Sequence, residues 1–112
     1  MNISFNGIGD RLVTFYSDEV MAGHVVYVSD CGMVSECEEG DPFDGVAMFV
    51  DDGLAAVRLG GFVTLSYSGT TPDIGRVTLV ADGEGGVEVD EDGETYLVVD
   101  EDTTNGTVTL IL

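Results

Sequence analysis

Ala55-Ala56-Val57-Arg58-Leu59-Gly60-Gly61-Phe62-Val63-Thr64-Leu65-Ser66-Tyr67 places apolar side chains at every second position on either side of a Gly-Gly pair. An extended chain sends alternate side chains to opposite faces, so this stretch reads as two β-strands with a break between them. The same period continues in both directions. Upstream, Arg11-Leu12-Val13-Thr14-Phe15-Tyr16, His24-Val25-Val26-Tyr27-Val28 and Gly45-Val46-Ala47-Met48-Phe49-Val50 carry it. Downstream it returns in Arg76-Val77-Thr78-Leu79-Val80, Gly86-Val87-Glu88-Val89, Thr95-Tyr96-Leu97-Val98-Val99 and Thr107-Val108-Thr109-Leu110-Ile111-Leu112. The runs are short, rich in β-branched and aromatic residues, and bounded by Gly, Asp, Asn or Pro. Asn105-Gly106, Asp92-Gly93 and Asp52-Gly53 suit tight hairpins, where a positive φ is needed.

No window carries an apolar stripe at i, i+3 and i+4. Ser17-Asp18-Glu19-Val20-Met21-Ala22 has a plausible N-cap but predicts at most about one helical turn. The expected fold is therefore all-β, a small barrel or sandwich of about nine short, mostly antiparallel strands. No repeat period and no linker divides the chain, so residues 1–112 are expected to form a single β domain. Residues 1–19 are expected as an N-terminal arm or strand. The closing strand, Thr107 to Leu112, carries no charge and must be paired, either closing a barrel or lying in a subunit contact.

The chain has 112 residues, with 22 Asp and Glu against three Arg and no Lys, a formal net charge of −19. That charge argues against direct binding to nucleic acid or anionic lipid, both of which need Lys and Arg. Hydrophobic residues make up 44 %, enough for a packed core rather than a disordered chain. No apolar run approaches the roughly 20 residues that cross a bilayer. The N-terminus has neither a basic n-region nor a long apolar h-region, so no signal peptide is expected.

The residues that could carry chemistry form no catalytic pattern. His24 is alone and expected within a strand, with no nucleophile elbow in the sequence. Cys31 and Cys37 are too few for a disulfide framework, and with one His they cannot complete a set of four zinc ligands. Asn2-Ile3-Ser4 and Asn105-Gly106-Thr107 are sequons but, without export, read as turn and strand chemistry. Ten acids and no base lie between Asp82 and Asp102. An EF-hand register with Gly93 as its turn glycine puts Glu88, Asp90 and Asp92 at the first ligand positions, but Val99 where the bidentate Glu belongs. Solvated loop carboxylates are the favoured reading. Asp90, Asp92 and Glu94 are where a weakly held divalent cation would collect, and no cofactor is expected. The candidate interaction residues are Asp82, Glu84, Glu88, Asp90, Glu91 and Asp92, with Arg58 as a cation within a strand.

Asp41-Pro42-Phe43-Asp44-Gly45-Val46-Ala47, then Asp52-Gly53, then Ala56-Val57-Arg58-Leu59-Gly60-Gly61-Phe62-Val63-Thr64-Leu65 form a recognisable series. Tyr67-Ser68-Gly69-Thr70-Thr71-Pro72-Asp73-Ile74-Gly75, the Leu79-to-Val87 segment and the closing Tyr96-to-Leu112 segment extend it. Over residues 20–112 the chain resembles the small β-rich head proteins of phages and prophages, of the capsid decoration or head-fibre type. The resemblance implies a barrel-like fold, a structural and non-enzymatic role on the virion, and self-association. The partner would be the major capsid protein or another virion component, and the location the host cytoplasm during assembly. The symmetry of capsid lattices makes a homotrimer the natural oligomer. The alternatives are an acidic DNA mimic that inhibits a host nucleic-acid-binding protein, and a β module that binds divalent cations weakly.

Self-repulsion at this net charge is expected to weaken the fold at low ionic strength. The melting temperature should rise between low and physiological salt; an unchanged value would contradict it.

Overall fold

The computed structural model describes residues 11–112, and every regular element in them is a β-strand. In chain order these are β1 (Arg11–Asp18), β2 (Val25–Asp30), β3 (Met33–Glu36), β4 (Gly45–Asp51) and β5 (Leu54–Gly60). They continue as β6 (Phe62–Ser68), β7 (Gly75–Ala81), β8 (Val87–Val89), β9 (Glu94–Asp102) and β10 (Thr107–Ile111). The arm expected over residues 1–19 is thus described only from Arg11, as β1, and the Asn2 sequon lies outside the described residues. The all-β expectation holds, with ten strands instead of about nine. The added strand is β3, whose four residues carry too short an alternation to stand out. The one-turn helix does not form. Ser17 and Asp18 finish β1, and Glu19 then takes a left-handed φ of 55° that breaks the chain direction.

The strands close into two five-stranded barrels, β1-β3-β2-β4-β5 and β10-β6-β8-β7-β9. Each barrel uses the same pairing scheme. Its first strand lies parallel to its third (β1 with β3, β6 with β8). All other neighbours are antiparallel, and the fifth strand returns to pair with the first. Registers agree as well. Thr14 opposite Ala56 has its counterpart in Thr64 opposite Thr109, and Ala47 opposite Val57 in Val98 opposite Leu110. A register shift falls at Met48 in one barrel and at Val99 in the other. The reading of the chain as free of repeats is therefore corrected: the architecture repeats about every 50 residues, although the side chains do not.

Local chemistry accounts for the turns. Asp52 (φ 50°) and Gly53 (φ 77°) both take the left-handed conformation that a two-residue hairpin between right-twisted strands requires. Asn105-Gly106 ends the β9–β10 hairpin as expected, with Gly106 at φ 68°. Asp92-Gly93 does not make a hairpin, because β8 and β9 both pair with β7 and not with each other. Gly93 is needed there for space, since a Cβ would meet the Leu79 carbonyl oxygen at 2.4 Å.

β10 is paired on both sides, by β9 and β6, so of the two fates expected for the closing apolar strand it closes a barrel. Its inward residues Val108 and Leu110 join Val63, Leu65, Leu79, Val87 and Val98 in a buried cluster. Val25, Cys37, Phe43 and Val46 of the first half reach into that same cluster. The first barrel has a smaller core of its own, formed by Val20, Val26, Val34, Ala47, Ala55 and Val57.

Leu110 is fully buried, and Leu110→Ala should cost about 2–5 kcal/mol in urea unfolding. A loss under about 1 kcal/mol would contradict its place in the shared cluster.

Candidate functional site

The two barrels meet at a seam crossed by backbone hydrogen bonds. Ala81, the last residue of β7, accepts a hydrogen bond from the Gly40 amide (2.8 Å) and donates one to the Asp41 carbonyl (2.9 Å). Val25 donates to the Gly85 carbonyl at 3.0 Å. Phe43 and Tyr96 stack across the seam, with ring centroids 4.9 Å apart and planes 10° from parallel. Gly85, at φ 93°, lies against the His24 ring, so closely that a Cβ would come within 2.4 Å of it. The other side of that ring is held by the Glu36 carboxylate through Nδ1. His24 is therefore a seam residue just ahead of β2, not a strand-borne base.

Desolvation dominates the titration of the buried seam groups. The Cys37 thiol is pushed up to about 12, first by burial and then by Asp41, Asp44 and Glu36. Tyr96 is pushed up to about 12 by burial, then by Glu94, Asp44 and the Cys37 sulfur. Cys37 is buried and Cys31 exposed, both free. Neither has the electropositive, accessible surroundings of a reactive thiolate.

Two of the acids expected to meet a partner, Asp82 and Asp90, work inside the fold, as does Asp102. Asp82 is buried and accepts hydrogen bonds from Ser68 Oγ (2.7 Å), the Glu84 amide (2.7 Å) and the Gly86 amide (3.0 Å). It shapes the turn that brings Gly85 to the seam. Asp90 accepts from the Asp92 amide at 2.9 Å. Asp102 caps the β9–β10 hairpin, accepting from Asn105 Nδ2 (2.7 Å), the Asn105 amide (3.2 Å) and the Thr104 amide (3.0 Å). These bonds, the Asn105 side chain first, hold its carboxyl below the usual range. Glu84, Glu91, Asp92 and Glu94 are exposed.

The acids also divide in space. Glu88 is held above the usual range by desolvation first, then by Glu39, Asp82 and Asp90, and Gly83 lies against Glu39, where a Cβ would come within 3.0 Å of its amide nitrogen. Glu39 comes from the first half and was hidden from a reading confined to residues 82–102. Leu79 pairs with Glu94 and Gly75 with Val98, so β9 carries Asp100 to Asp102 past the start of β7, to the end opposite Asp82. Among the described residues no three His, Cys, Asp or Glu side chains come together to hold a metal ion.

Arg58 Nη1 donates to the Phe62 carbonyl at 2.9 Å, fastening the chain where it passes from one barrel to the next. A surface cleft lined by Tyr27, Asp41, Pro42 and Asp44 lies beside the seam. Its carboxylates are engaged, Asp44 by the Val28 amide (2.8 Å) and Asp41 by the Glu38 amide (3.0 Å). A second, shallower groove lies on the first barrel between Thr14, Phe49, Asp51, Asp52, Leu54 and Ala56. Phe49 and Leu54 there, with Tyr16 and Leu12 nearby, are large apolar side chains left in water. The sequence showed these only as members of alternating strands. No helix among the described residues is long and apolar enough to cross a membrane.

Compared with known proteins, the chain matches no family model and no curated sequence.

Both seam groups hold their protons more tightly in the fold than the ordinary values of 9.0 for Cys37 and 10.0 for Tyr96. The unfolded chain ionises first as pH rises, so their contribution is intact below pH 9 and lost between about pH 9 and 12. Melting temperature should fall over that range, and less so in Cys37→Ala. A thiol reagent at pH 8 should label Cys31 and spare Cys37; equal labelling rates in the folded protein would contradict the buried seam.

Proposed function

We propose that this chain is a non-enzymatic structural protein of a phage or prophage virion, bound at high copy number to the head and stabilising the capsid. The observation that carries the reading is where the head-protein-like segments fall. Asp41 to Ala47 supplies Phe43, the Asp41 carbonyl and Val46; Leu79 to Val87 supplies Ala81, Asp82 and Gly85; and the closing segment supplies Tyr96. Three of the segments quoted for the resemblance thus contribute residues to the seam between the barrels, which supports the reading.

Other features are consistent with this role. A double barrel with a shared cluster presents rigid, regular surfaces of the kind a lattice protein uses. The carboxylates are split toward the two ends of the second barrel, half of them on β8 and β9 and half in turns, and three accept bonds from nearby main-chain amides. That arrangement is a poor copy of a continuous phosphate path, which places the DNA-mimic reading second.

Quantitative mass spectrometry of gradient-purified particles from the source strain tests the proposal. The expected result is a fixed stoichiometric ratio to the major capsid protein. The chain free in the lysate and absent from particles would overturn it in favour of the DNA mimic.

A further inference from the structure

The repeated scaffold permits a comparison within one molecule. In the first barrel Thr14, Tyr16, Leu54, Ala56, Phe49 and Asp51 share the outer face of β1, β5 and β4. In the second barrel the places equivalent by register are held, in the same order, by Thr64, Ser66, Thr107, Thr109, Asp100 and Asp102. The inward partners stay apolar in both halves: Ala55, Val57 and Ala47 against Val108, Leu110 and Val98, all buried. The scaffold therefore tolerates polar side chains at all six of these places, with the Thr64 and Thr109 hydroxyls bonded at 2.9 Å, and the apolar Phe62 and Ile111 at the end of the same face are partly buried. The first barrel instead leaves Phe49 71 % exposed, Tyr16 64 %, Leu12 49 % and Leu54 44 %. Lone exposed hydrophobics are ordinary, but a set collected on one sheet face is the mark of an interaction surface.

Charge around the face specifies its occupant. Exposed Asp18, Glu19, Asp51 and Asp52 stand at the turn end of these strands, where the Ser17 amide bonds to the Gly53 carbonyl at 2.9 Å. Arg11 and Arg58 stand at the other end, with Leu12 paired to Arg58. A second copy turned end for end would set Arg11 beside Asp51 and Asp52. It would also bring together two chains of net charge −19, a repulsion that acts over the whole contact. An electropositive partner avoids that repulsion.

We infer that the outer face of β1, β5 and β4 is a docking surface for a different protein, one presenting an apolar centre with Lys or Arg at the end that meets Asp18, Glu19, Asp51 and Asp52. The second barrel is the half that stays in solvent. This deepens the proposed function and rests on it for the partner, which is another protein of the particle. Tyr16 and Phe49 are the anchors, because aromatic side chains at the centre of an interface carry a large share of its affinity.

The test is a photo-crosslinking benzoylphenylalanine placed at position 49 of the full chain and irradiated in purified particles. The expected product joins position 49 to another particle protein, at a peptide carrying Lys or Arg beside apolar residues. A product joining two copies of the chain, or closing within one copy, would overturn the inference. A second variant, Phe49→Asp with Leu54→Thr, gives the first barrel features of the second. It should melt like the parent and enter particles at about one-tenth the copy number or less, as expected for the loss of apolar contacts of this size; Thr107→Ala should enter normally. Undiminished entry of the double variant overturns the docking face and leaves the virion role standing. Absence of the parent chain from particles overturns the virion role itself.

Discussion

The structure depends on the backbone contact that Ala81 makes with the first half. A residue at the end of β7 completes its hydrogen bonds with Gly40 and Asp41 rather than with its own barrel. A buried amide and carbonyl left without partners would be costly, so this exchange holds the barrels in one relative position. The Phe43–Tyr96 stack and the buried Asp82 support it from either side. Gly85 shows how tight the fit is, since no side chain can stand where the His24 ring lies. Val25, Phe43 and Val46 then complete a core that the second barrel alone would leave open.

Much of this was legible in the residues. Period-two alternation located nine of the strands, β1 among them although none of its residues is fully buried, and the β9–β10 hairpin glycine announced itself as well. The repeat was not legible, for a physical reason. Leu12-Val13-Thr14-Phe15 and Phe62-Val63-Thr64-Leu65 are recognisably alike, but elsewhere little beyond the inward class is kept, and even that is lost where Val50 answers to the exposed Glu101. Val57 answers to Leu110 and Ala47 to Val98, while every outward residue compared except the Thr14/Thr64 and Asp51/Asp102 pairs changes chemistry. Loop lengths differ too: two residues join β4 to β5 and four join β9 to β10. A fold can repeat exposed backbone geometry without repeating side chains, because pairing is made by main-chain groups.

The acidic segment illustrates the opposite limit. Counting charges identified residues 82–102 but could not distinguish a carboxylate that faces water from one that organises a turn. Asp82, Asp90 and Asp102 are acceptors for nearby amides, the usual role of Asp in loops. The surface that sets this chain apart is apolar and lies on the other barrel. It escaped notice because Tyr16, Phe49 and Leu54 are ordinary strand residues until pairing shows which face they share and what holds the same places in the second half.

The central claim is that the two barrels stand as one cooperative unit through the seam. Native-state hydrogen exchange in increasing urea tests it most directly, read at the paired-strand amides of Val57 in the first barrel and Leu110 in the second. The account predicts that both sets merge into one opening with the same free energy and the same urea dependence. Protection persisting at Leu110 after Val57 has opened would mean that the second barrel stands alone, and would contradict it.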